Sequence, residues 1–585
     1  MQPTEHTAPV DEQTSLFYRA WLPPDAPQRS DIQRAVVMVH RGHEHSGRLV
    51  DVVEELGLRE TAVFAWDARG HGKSPGERGY APSFSRVVKD LDVFVRYVSQ
   101  QHGIAVEDIV IVGHSVGAVT VAAWVHDYAP PVRAMVLVTP ALKVKLYVPF
   151  ARTGLAMLQK MRGDKKSYVQ SYVKPSMLTH DAEQARRYAE DPLITRAIAV
   201  NVLLDLYETA ERVSSDAGAI RVPALVLSGG ADWVVDVGEQ QRFFDRLGSQ
   251  KKRMRIFDGM YHDLLHEAGR AEVLGEIRTF IEEAFASDAR RAPLVDGDRY
   301  GYTQQEHEVL KHPASALKKA AFGVQRLTLK TIGKLSDGVR LGWESGFDSG
   351  RSLDYVYENQ ARGGLGLGKF IDRTYLNSPG WRGIRQRKLN LEKLLRSAID
   401  RTRAAGREVR ILDVATGCGR YVLDAMQADG EPHVTAYLRD FTPANVEQGK
   451  RIAEEMGLSS RVRFEQGDAF DEENLAAITP APTVTIVSGL YELFGDNEMV
   501  QRSLRGIARA MSEGGYLIYT GQPWHPQLEM IARVLTNRDG QPWIMRRRTQ
   551  EEMDDLVHAA GFRKLDMEID RWGIFTVSLA SLEKG

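Results

Sequence analysis

Short apolar runs rich in β-branched residues alternate with longer segments of mixed polarity along the first half of the chain. Six runs have the length of strands, at residues 36–39, 63–66, 109–112, 135–138, 225–227 and 254–257. Uninterrupted apolar runs are typical of parallel strands buried on both faces, and the segments between them have helical spacing. The series ends with a helical pattern at 272–285. This pattern predicts an α/β sheet covered by helices on both faces.

A second series of the same kind occupies the last third of the chain. Five apolar runs occur at residues 409–414, 434–437, 462–464, 484–487 and 516–519. Two further runs, at 562–569 and 574–579, flank a turn at Trp572 and Gly573. Alternating strand and helix patterns indicate parallel strands, and a closing hairpin adds an antiparallel partner. We therefore expect a mostly parallel sheet with one antiparallel strand at the end. The sequence contains no repeat of fixed period that would indicate a solenoid.

The stretch between the two series differs from both. Residues 287–302 are polar and include Pro293, which is typical of a linker. Residues 311–340 carry seven Lys or Arg against one acid, Asp337. In the same segment, apolar residues recur at roughly helical spacing, namely Leu317, Ala321, Val324, Leu327, Ile332, Leu335 and Val339. We expect a first domain over 1–286, a linker and basic amphipathic segment over 287–344, and a second domain over 345–585.

Composition narrows the class of protein. A chain of 585 residues exceeds the size at which one hydrophobic core stops growing, which favours two domains. A formal charge of −2 excludes a globally basic nucleic-acid binder. Cys418 is the single cysteine, so no intrachain disulfide can form. The first residues have no basic start followed by an apolar core, and no run approaches a membrane span of about 20 apolar residues. We expect a soluble, cytoplasmic protein.

A serine nucleophile is predicted where the third apolar run ends. The chain there reads Gly113-His114-Ser115-Val116-Gly117, a Gly-x-Ser-x-Gly motif placed between a strand and a helix. In such an elbow the serine occupies a strained turn, and glycines are needed on both sides because side chains would clash. The backbone amide of Val116 then points at the reacting oxygen, as one donor of an oxyanion hole.

The partners of this serine are expected after later strands. A serine nucleophile needs a histidine base and an acid that orients it, and with this elbow the chain order is Ser, Asp or Glu, His. Asp232 and His262 each follow a predicted strand in that order. Asp236 and His266 lie nearby, and we expect them to make surface polar contacts instead.

The second oxyanion donor is expected in the loop after the first apolar run. Gly42 can present its amide to a carbonyl oxygen with little steric hindrance. His43 and His45 lie in the same loop, only two positions apart. No cluster of acids accompanies them in the sequence, so we expect no metal site.

Residues 15–285 resemble an α/β-hydrolase of the monoacylglycerol lipase and serine aminopeptidase S33 group. The resemblance is carried by the serine motif and by residues 40–48, 67–76 and 261–267. Arg41 replaces a glycine of that family, which is expected to alter the entrance to the site. The resemblance implies an α/β-hydrolase fold with a helical lid over 142–215. It also implies a serine lipase or esterase acting on acylglycerol-like or lysophospholipid-like esters. The apolar residues at 146–150 and 155–161 fit either an acyl-chain lining or packing of the lid.

A different chemistry is predicted after the first strand of the second series. Asp413 ends that strand, and a turn of small residues follows, Ala415-Thr416-Gly417-Cys418-Gly419. Such a turn lets backbone approach a ligand at the carboxyl edge of a parallel sheet. No Gly-Lys-Ser/Thr follows, which excludes a P-loop. Asp440 and Asp468 follow the next two strands, where carboxylates can bind a ribose and an adenine amine. A helix-capping role is the alternative for Asp440.

This spacing resembles a class I S-adenosylmethionine-dependent methyltransferase with a Rossmann-like fold over 345–585. The nearest resemblance is to a bacterial methyltransferase group whose substrate it does not imply. The segment Ala560-Gly561-Phe562 and the closing hairpin fit that family, whereas Ala415 replaces its first glycine. The resemblance implies S-adenosyl-L-methionine as the cofactor. The expected cofactor-binding residues are Asp413, Ala415, Thr416, Gly417, Gly419, Asp440, Asp468, Ala469 and Ser488.

The side that would bind the methyl acceptor is predicted less sharply. Tyr491 and Glu492 follow the fourth strand of the second series, and His525 follows the fifth. His525 fits a general base near neutral pH or a hydrogen-bonded loop histidine. The Asn/Asp-Pro-Pro-Tyr signature of many amino-methylating enzymes is absent from the sequence.

Two functions remain open from the sequence. The first is a bifunctional enzyme, a serine ester hydrolase fused to a methyltransferase. The alternative is that one or both domains are non-catalytic and serve as a lipid-binding or cofactor-binding scaffold. The segment 311–340 fits either peripheral contact with the inner face of an anionic membrane or packing between domains.

Overall fold

The computed structural model describes residues 2–23, 32–147, 150–163, 166–288, 291–364, 366–430 and 433–583. The chain divides into two compact units, Met1–Ala292 and Pro293–Gly585. The expected boundaries differ, because residues 293–344 form helices of the second unit and not a separate linker. Leu294 N donates to Asp555 Oδ2 at 2.7 Å, and Leu310 is buried in a cluster of the second unit.

Within the described residues, the first unit contains a sheet of eight strands in the order β1-β2-β4-β3-β5-β6-β9-β10. Its strands are β1 (Thr4–Asp11), β2 (Thr14–Trp21), β3 (Ala35–Val39), β4 (Ala62–Trp66), β5 (Ile109–His114), β6 (Ala134–Val138), β9 (Ala224–Gly229) and β10 (Lys252–Phe257). Strands β3 to β10 of this sheet are parallel, and β2 is antiparallel to both of its neighbours. The six predicted strands are confirmed.

The pattern of apolar runs did not predict β1 and β2. Strand β1 is mostly exposed and carries a proline, so it lacks the apolar run of a central strand. Its polar side chains are tolerated because it lies at the edge of the sheet.

Helices cover both faces of this sheet. They are α1 (Val50–Leu56), α2 (Phe84–His102), α3 (Val116–Tyr128), α4 (Ala151–Arg162), α5 (Ala182–Glu190), α6 (Val200–Ser215), α7 (Val237–Arg246) and α8 (Arg270–Ala286). Twelve of the thirteen residues of α3 are buried, which explains why its sequence is apolar on all sides. Helix α3 begins immediately after Ser115 and therefore fixes the position of that residue.

The insertion between β6 and β9 coincides with the segment expected to form a lid. It contains α4, α5 and α6, and a small antiparallel pair of strands, β7 (Tyr168–Gln170) and β8 (Ala197–Ala199). Helix α4 has no buried residue, although its apolar content is high. Val148 and Pro149, part of the expected acyl-chain lining, lie outside the described residues.

The second unit, in its described part, contains a sheet of seven strands in the order β13-β12-β11-β14-β15-β17-β16. The strands are β11 (Arg410–Asp413), β12 (Thr435–Asp440), β13 (Val462–Gln466), β14 (Val484–Val487), β15 (Tyr516–Gly521), β16 (Phe562–Ile569) and β17 (Thr576–Leu582). Strand β17 pairs antiparallel with both β15 and β16, whereas the others are parallel. The expected single antiparallel strand is confirmed, and it lies second from the edge.

Helices of the second unit precede the sheet and alternate with its strands. They are α9 (Gly297–Tyr300), α10 (Tyr302–Lys311), α11 (Ala316–Lys330), α12 (Asp337–Ser345), α13 (Gly350–Glu358), α14 (Leu367–Leu376), α15 (Pro379–Ala404), α16 (Arg420–Asp429), α17 (Pro443–Glu455), α18 (Glu472–Ala476), α19 (Asn497–Ala510), α20 (Leu528–Val534) and α21 (Gln550–Ala559). No helix among the described residues is long and apolar enough to cross a membrane.

Candidate active sites

Ser115 occupies a sharp turn between β5 and α3, with φ 55° and ψ −111°. The flanking glycines are required by space. A Cβ at Gly113 would lie 2.7 Å from the backbone of Ala118, and one at Gly117 would lie 2.4 Å from the carbonyl oxygen of His40. The strained backbone, the close approach of neighbouring backbone and the helix behind it are those of a nucleophile elbow.

His262 and Asp232 lie where a serine nucleophile needs them. The Nε2 atom of His262 is 2.8 Å from Ser115 Oγ, and its Nδ1 atom is 2.7 Å from Asp232 Oδ2. The other oxygen of Asp232 accepts hydrogen bonds from the amides of Val234 and Val235. Burial opposes the charged form of Asp232, but His262 and these amides outweigh it and lower the pKa of the carboxyl. Asp232 is therefore held ionised beside the histidine ring.

Asp236 and His266, which lie near the acid and the histidine of this site in the sequence, have structural roles. Asp236 caps α7 by accepting a hydrogen bond from Glu239 N at 2.9 Å. The expectation of a surface contact is wrong for His266, which is buried and 2.9 Å from Asp263 Oδ1. Its Nε2 atom is 2.8 Å from the carbonyl oxygen of Arg48. His266 also lies in a single 3-10 turn, Leu264–His266.

The loop after β3 brings Gly42 against the start of α3. A Cβ at Gly42 would lie 3.0 Å from Val116 Cγ2, so the two predicted oxyanion donors are adjacent in the fold. Arg41 is buried, 2.7 Å from Glu44 Oε1 and 3.8 Å from Asp263 Oδ2. The residue that departs from the family pattern is thus part of a buried ion-pair network.

The loop histidines have partners in the insertion between β6 and β9. His43 Nδ1 is 2.7 Å from the carbonyl oxygen of Thr195, and His45 Nε2 is 2.9 Å from Asp191 Oδ2. Burial lowers the pKa of His43 to about 4. In the part of the chain that the structure describes, no group of three or more His, Cys, Asp or Glu side chains is placed to hold a metal ion.

A cavity of about 650 Å³ adjoins Ser115 and His262. The insertion between β6 and β9 supplies much of its wall through apolar side chains, including Leu146, Leu155, Leu158, Leu203 and Leu206. The volume lies within the usual range of small-molecule sites. The nucleophile is therefore reached through apolar surroundings.

In the second unit, the small-residue turn after β11 lies against the end of β12. Gly417 N donates to Asp440 Oδ2 at 2.8 Å, and Thr416 N donates to the carbonyl oxygen of Arg439 at 2.9 Å. Gly417 has φ 58°, and a Cβ there would meet no atom within 4 Å. Gly419, at φ 71°, lies where a Cβ would be 2.8 Å from Leu438 Cδ1. One glycine therefore faces open space, and the other allows the helix to pack on the sheet.

Asp413 differs from the expectation of direct contact with a ligand. It is fully buried, accepts a 3.3 Å hydrogen bond from Ala415 N and bonds the hydroxyl of Tyr421. Burial raises the pKa of Asp413 to about 7. Because Asp413 has no exposed surface, its hydrogen bonds support the turn from the interior of the domain.

The remaining expected cofactor residues lie at the carboxyl ends of neighbouring strands. Asp440 is the last residue of β12, which extends three residues beyond the predicted strand. Its Oδ1 atom accepts hydrogen bonds from Thr442 N and Asn445 Nδ2, each at 2.9 Å. Asp468 is exposed after β13, where it accepts from Phe470 N at 2.9 Å. Ala469 is buried beside it, and Ser488 follows β14 half-buried.

The three expected acceptor-side residues separate in the structure. Glu492 and His525 both line a second cavity, of about 440 Å³. Tyr491 is buried, its hydroxyl donates to Ser503 Oγ at 3.0 Å, and it is not among the described residues that line this cavity. Glu492 lies 3.3 Å from Arg387 Nη1, and His525 Nδ1 accepts from Gln527 N at 3.0 Å.

Sequence reasoning missed three polar residues of this cavity, Arg387, Gln522 and Trp543. Gln522 immediately follows β15, so its position at a strand end was a usable signal. Arg387 lies in the middle of α15, and Trp543 lies in a loop. No spacing in the sequence ties either of them to the strand ends.

The folds and the local geometry define an α/β-hydrolase domain followed by a methyltransferase-like domain. The chain belongs to the family described as "Putative methyltransferase", whose model matches residues 277–582. Residues 30–269 match a second family model, "Serine aminopeptidase, S33". The two expected family resemblances are confirmed: the first half has an α/β-hydrolase domain, and the second half a domain of the "Putative methyltransferase" family.

Relatives extend over the whole chain or over its first half. The chain is 50% identical to "Uncharacterized protein YnbC" of Escherichia coli, over 99% of this chain and 98% of that one. It is 26% identical to the monoacylglycerol lipase of Mycolicibacterium smegmatis, over 46% of this chain and 92% of that one. A solved monoacylglycerol lipase from Paleococcus ferrophilus is 27% identical, covers 46% of this chain and 99% of its own, and has a TM-score of 0.41.

Proposed function

We propose that the chain is a bifunctional enzyme, a serine ester hydrolase joined to an S-adenosylmethionine-dependent methyltransferase. The hydrolase assignment rests on one observation above all. Ser115 Oγ, His262 Nε2, His262 Nδ1 and Asp232 Oδ2 form an unbroken hydrogen-bonded series with separations of 2.8 and 2.7 Å. That series lies beside an apolar cavity, as an ester hydrolase requires.

In the proposed reaction, Ser115 Oγ attacks the ester carbonyl while His262 takes its proton. Asp232 holds the ring so that Nε2 faces the serine, and it stabilises the imidazolium that forms. The amides of Gly42 and Val116 donate to the oxyanion. His262 then protonates the departing alcohol, and water releases the acid from Ser115 by the same route.

The substrate class follows from the cavity wall. Leucines of the insertion between β6 and β9 surround the approach to Ser115, and such a wall favours an acyl chain. The similarity to monoacylglycerol lipases supports the same class. We therefore assign monoacylglycerols or lysophospholipid-like esters as substrates.

Fluorophosphonate labelling tests the hydrolase. Wild-type protein should be labelled at one site, and Ser115→Ala should abolish the labelling. Asp232→Asn should slow it strongly, because the histidine loses its orienting charge. Asp236→Asn is the matched control, since Asp236 follows the same strand and caps α7. Absence of labelling in every variant would favour the alternative, a non-catalytic lipid-binding scaffold.

The methyltransferase assignment rests on the turn after β11. The open face at Gly417, with the carboxylate of Asp440 bonded to that same residue, fits a nucleoside at the carboxyl edge of the sheet. In this proposal Asp440 binds ribose hydroxyls, Asp468 and Ala469 contact the adenine, and Ala415, Thr416, Gly419 and Ser488 complete the surface. Asp413 positions the turn. S-adenosylmethionine, when bound, supplies an electrophilic methyl group.

Calorimetry tests this second assignment. S-adenosylmethionine should bind the full chain, and Asp440→Ala should weaken binding at least tenfold, since it removes both a ribose acceptor and the partner of Gly417 N in the turn. Asp429→Ala is the control, because Asp429 pairs with Arg403 at the C-terminal end of α16, the opposite end of that helix from the turn. No heat with wild-type protein would contradict cofactor binding and favour a scaffold.

We also propose that α11 contacts an anionic membrane surface. Leu317, Val324 and Leu327 are 84%, 66% and 64% exposed. These apolar residues lie on the same helix as several basic residues of the segment 311–340. One of those basic residues, Lys318, forms an ion pair with Glu529 at 2.8 Å. An exposed apolar face beside basic residues is the pattern of a peripheral helix. Such contact would be at the inner face of the membrane in a cytoplasmic protein.

A further inference from the structure

The cavity of about 440 Å³ in the second unit is lined mostly by apolar side chains, and the residues that follow β14 and β15 are termed its polar end. Its apolar wall includes Phe347, Trp381, Ile384, Ile531, Trp543 and Phe575. Gly489 and Glu492 after β14, and Gln522 and His525 after β15, lie at its polar end. Those strands follow β11 in the sheet order, so the polar end lies at the edge assigned to the cofactor.

The lining of this cavity offers hydrogen-bond donors. Gln522 is 3% exposed, and its Nε2 atom has no hydrogen-bond partner among the described residues. Trp543 is 8% exposed, and its Nε1 atom likewise has none in that part of the chain. Both atoms carry hydrogens and accept nothing, so each can donate to an acceptor oxygen of a ligand in the cavity that these residues line.

His525 adds a third donor. Its Nδ1 atom accepts a hydrogen bond from Gln527 N, so the neutral ring carries its proton on Nε2. Burial lowers the pKa of His525 to about 4, which keeps the ring neutral near pH 7. In this tautomer His525 donates from Nε2 and is not poised to take a proton there.

The other ionisable groups that line this cavity are either paired with a cation or kept protonated. Glu492 pairs with Arg387 at 3.3 Å, and Asp348 accepts hydrogen bonds from Arg538 N and Nε at 2.6 and 3.2 Å. Burial raises the pKa of the Tyr375 hydroxyl far above neutrality. Among the described residues that line the cavity, none is thus placed as a ready general base. An acceptor that is already deprotonated at neutral pH needs none.

We propose that this cavity binds the carboxylate of an aliphatic acid, with its chain among the aromatic and aliphatic side chains, and that this acid is the methyl acceptor. The inference rests on the methyltransferase function proposed above. Donors from Gln522 and Trp543 match carboxylate oxygens, and the positive charge of the cofactor offsets the negative charge of the acid. A fatty acid is also the product of the ester hydrolysis proposed for the first unit. The two activities then form consecutive steps, ester hydrolysis followed by O-methylation.

The step balances without a proton transfer. A carboxylate oxygen supplies an electron pair to the methyl carbon, and the carbon–oxygen bond forms as the carbon–sulfur bond breaks. The sulfur keeps the bonding pair and leaves in S-adenosylhomocysteine. A carboxylate anion and a sulfonium cation become a neutral methyl ester and a neutral thioether. The protein's task is to hold the oxygen in line with the methyl group.

Binding is measured first, on the full chain carrying Ser115→Ala, by titration with tetradecanoate and, separately, with tetradecan-1-ol and tetradecylamine. Tetradecanoate should bind most tightly. Trp543→Phe, which keeps the ring and removes the donor, should weaken that binding about tenfold, the loss typical of a hydrogen bond to a charged group. Gln522→Leu should have a similar effect. Trp572→Phe, a substitution in the same unit but outside the cavity wall, should leave binding unchanged. If tetradecanoate does not bind, or if neither cavity variant weakens its binding, the inference is overturned.

Turnover is measured second, with S-adenosylmethionine and mass spectrometry of the product. Both wild type and Ser115→Ala should convert tetradecanoate to its methyl ester. Only wild type should form the ester from 1-monotetradecanoylglycerol. If the cofactor binds but an alcohol, an amine or an aryl carboxylate is methylated in preference, the fatty-acid assignment is overturned while the methyltransferase function stands. If the cofactor does not bind, the proposed function itself fails.

Discussion

The guanidinium of Arg41 lies 2.7 Å from the carboxylate of Glu44, and both side chains are buried in the loop that carries Gly42. Asp263, immediately after His262, completes the network at 3.8 Å from Arg41. Burial works against the charge on Glu44, but the nearby cations, Arg41 first and then Arg48 and His266, outweigh it and lower the pKa of that carboxyl to about 2. The loop that donates to the oxyanion is therefore coupled to the segment that carries the catalytic histidine.

Removing Arg41 should destabilise the first unit. Arg41→Ala removes the cation nearest to Glu44 and leaves that carboxylate with Arg48 at 3.6 Å, whereas Asp263 keeps His266 at 2.9 Å. Breaking a buried pair typically costs about 3–5 kcal/mol. Urea unfolding followed by tryptophan fluorescence measures the change, and fluorophosphonate labelling should slow in parallel. Arg186→Ala, which breaks an exposed pair with Glu183, is the control and should cost at most about 1 kcal/mol. Equal effects of the two substitutions would contradict a structural role for Arg41.

A second pair of substitutions tests the space around the nucleophile. A Cβ at Gly117 would approach the carbonyl oxygens of His40 and Val39 to 2.4 and 2.5 Å, so Gly117→Ala should cost about 1–3 kcal/mol and displace Ser115. At Gly154, on α4, a Cβ meets no atom within 4 Å. Gly154→Ala should therefore stabilise the helix by up to about 1 kcal/mol. Thermal unfolding and labelling rates check both; a labelling rate unchanged in Gly117→Ala would argue against the strained elbow.

The first site was predictable because its residues obey a local rule. Ser115, Asp232 and His262 each follow a strand, and parallel strands bring their carboxyl ends to one edge. The structure then places these side chains in hydrogen-bond contact. Burial of His266 was not predictable, since Asp263 is a local partner but the carbonyl oxygen of Arg48 comes from a distant segment that only tertiary packing brings near.

The second site was predicted less completely, because only some of its residues follow strands. Asp440 was correctly placed at a strand end, although strand length was underestimated because β12 continues through the polar residue Arg439. The helical region before the second sheet was interpreted as a linker because its first residues are polar. One of those polar residues, Asp298, accepts a hydrogen bond from Asn497 N of α19 at 3.1 Å, and Thr303 just after them donates to Glu552 of α21 at 3.3 Å. The cavity lined by Arg387 and Trp543 arises from packing alone, which no local pattern encodes.

His525 offers a test that separates a donor from a base. His525→Gln keeps an N–H donor but removes the imidazole, so methyl transfer should persist within about tenfold, whereas His525→Phe should lower it further. A general base would instead be lost equally in both variants. Comparing the two methyl-transfer rates, with S-adenosylmethionine binding as the control for folding, decides between them.

The same residue predicts a pH dependence of stability. The pKa of His525 is about 4 in the folded protein, below its ordinary value of 6.5, because burial disfavours the charged ring. The unfolded chain therefore binds more protons between these values. Stability should be fully present above pH 6.5 and should fall as pH drops towards 4. His525→Gln should flatten that part of the unfolding free-energy curve for the second unit, and an unchanged slope would contradict a buried neutral ring.

The apolar wall beside Ser115 predicts acyl-chain selectivity. Leu158 lines the cavity, whereas Met157 on the same helix is 63% exposed. Leu158→Trp should fill part of the cavity and shift the preference among 4-nitrophenyl esters towards shorter chains. Met157→Trp should leave the preference unchanged. The ratio of kcat/KM for octanoate and hexadecanoate esters measures the shift, and an equal response of both variants would refute an acyl-chain lining.

The exposed face of α11 predicts salt-sensitive binding to anionic vesicles. Full-length protein should sediment with vesicles containing phosphatidylglycerol and not with phosphatidylcholine alone. Each basic side chain near such a surface contributes about 1 kcal/mol, so Lys319→Glu should weaken binding at least about fivefold. Val324→Asp should also weaken it, because it places a charge on the apolar face. Lys318 is unsuitable for this test because its substitution also breaks the pair with Glu529. Lys251→Glu, at an exposed position immediately before β10, is the charge-matched control. If sedimentation is equal for both vesicle types, or equal for Lys319→Glu and Lys251→Glu, α11 does not bind the membrane.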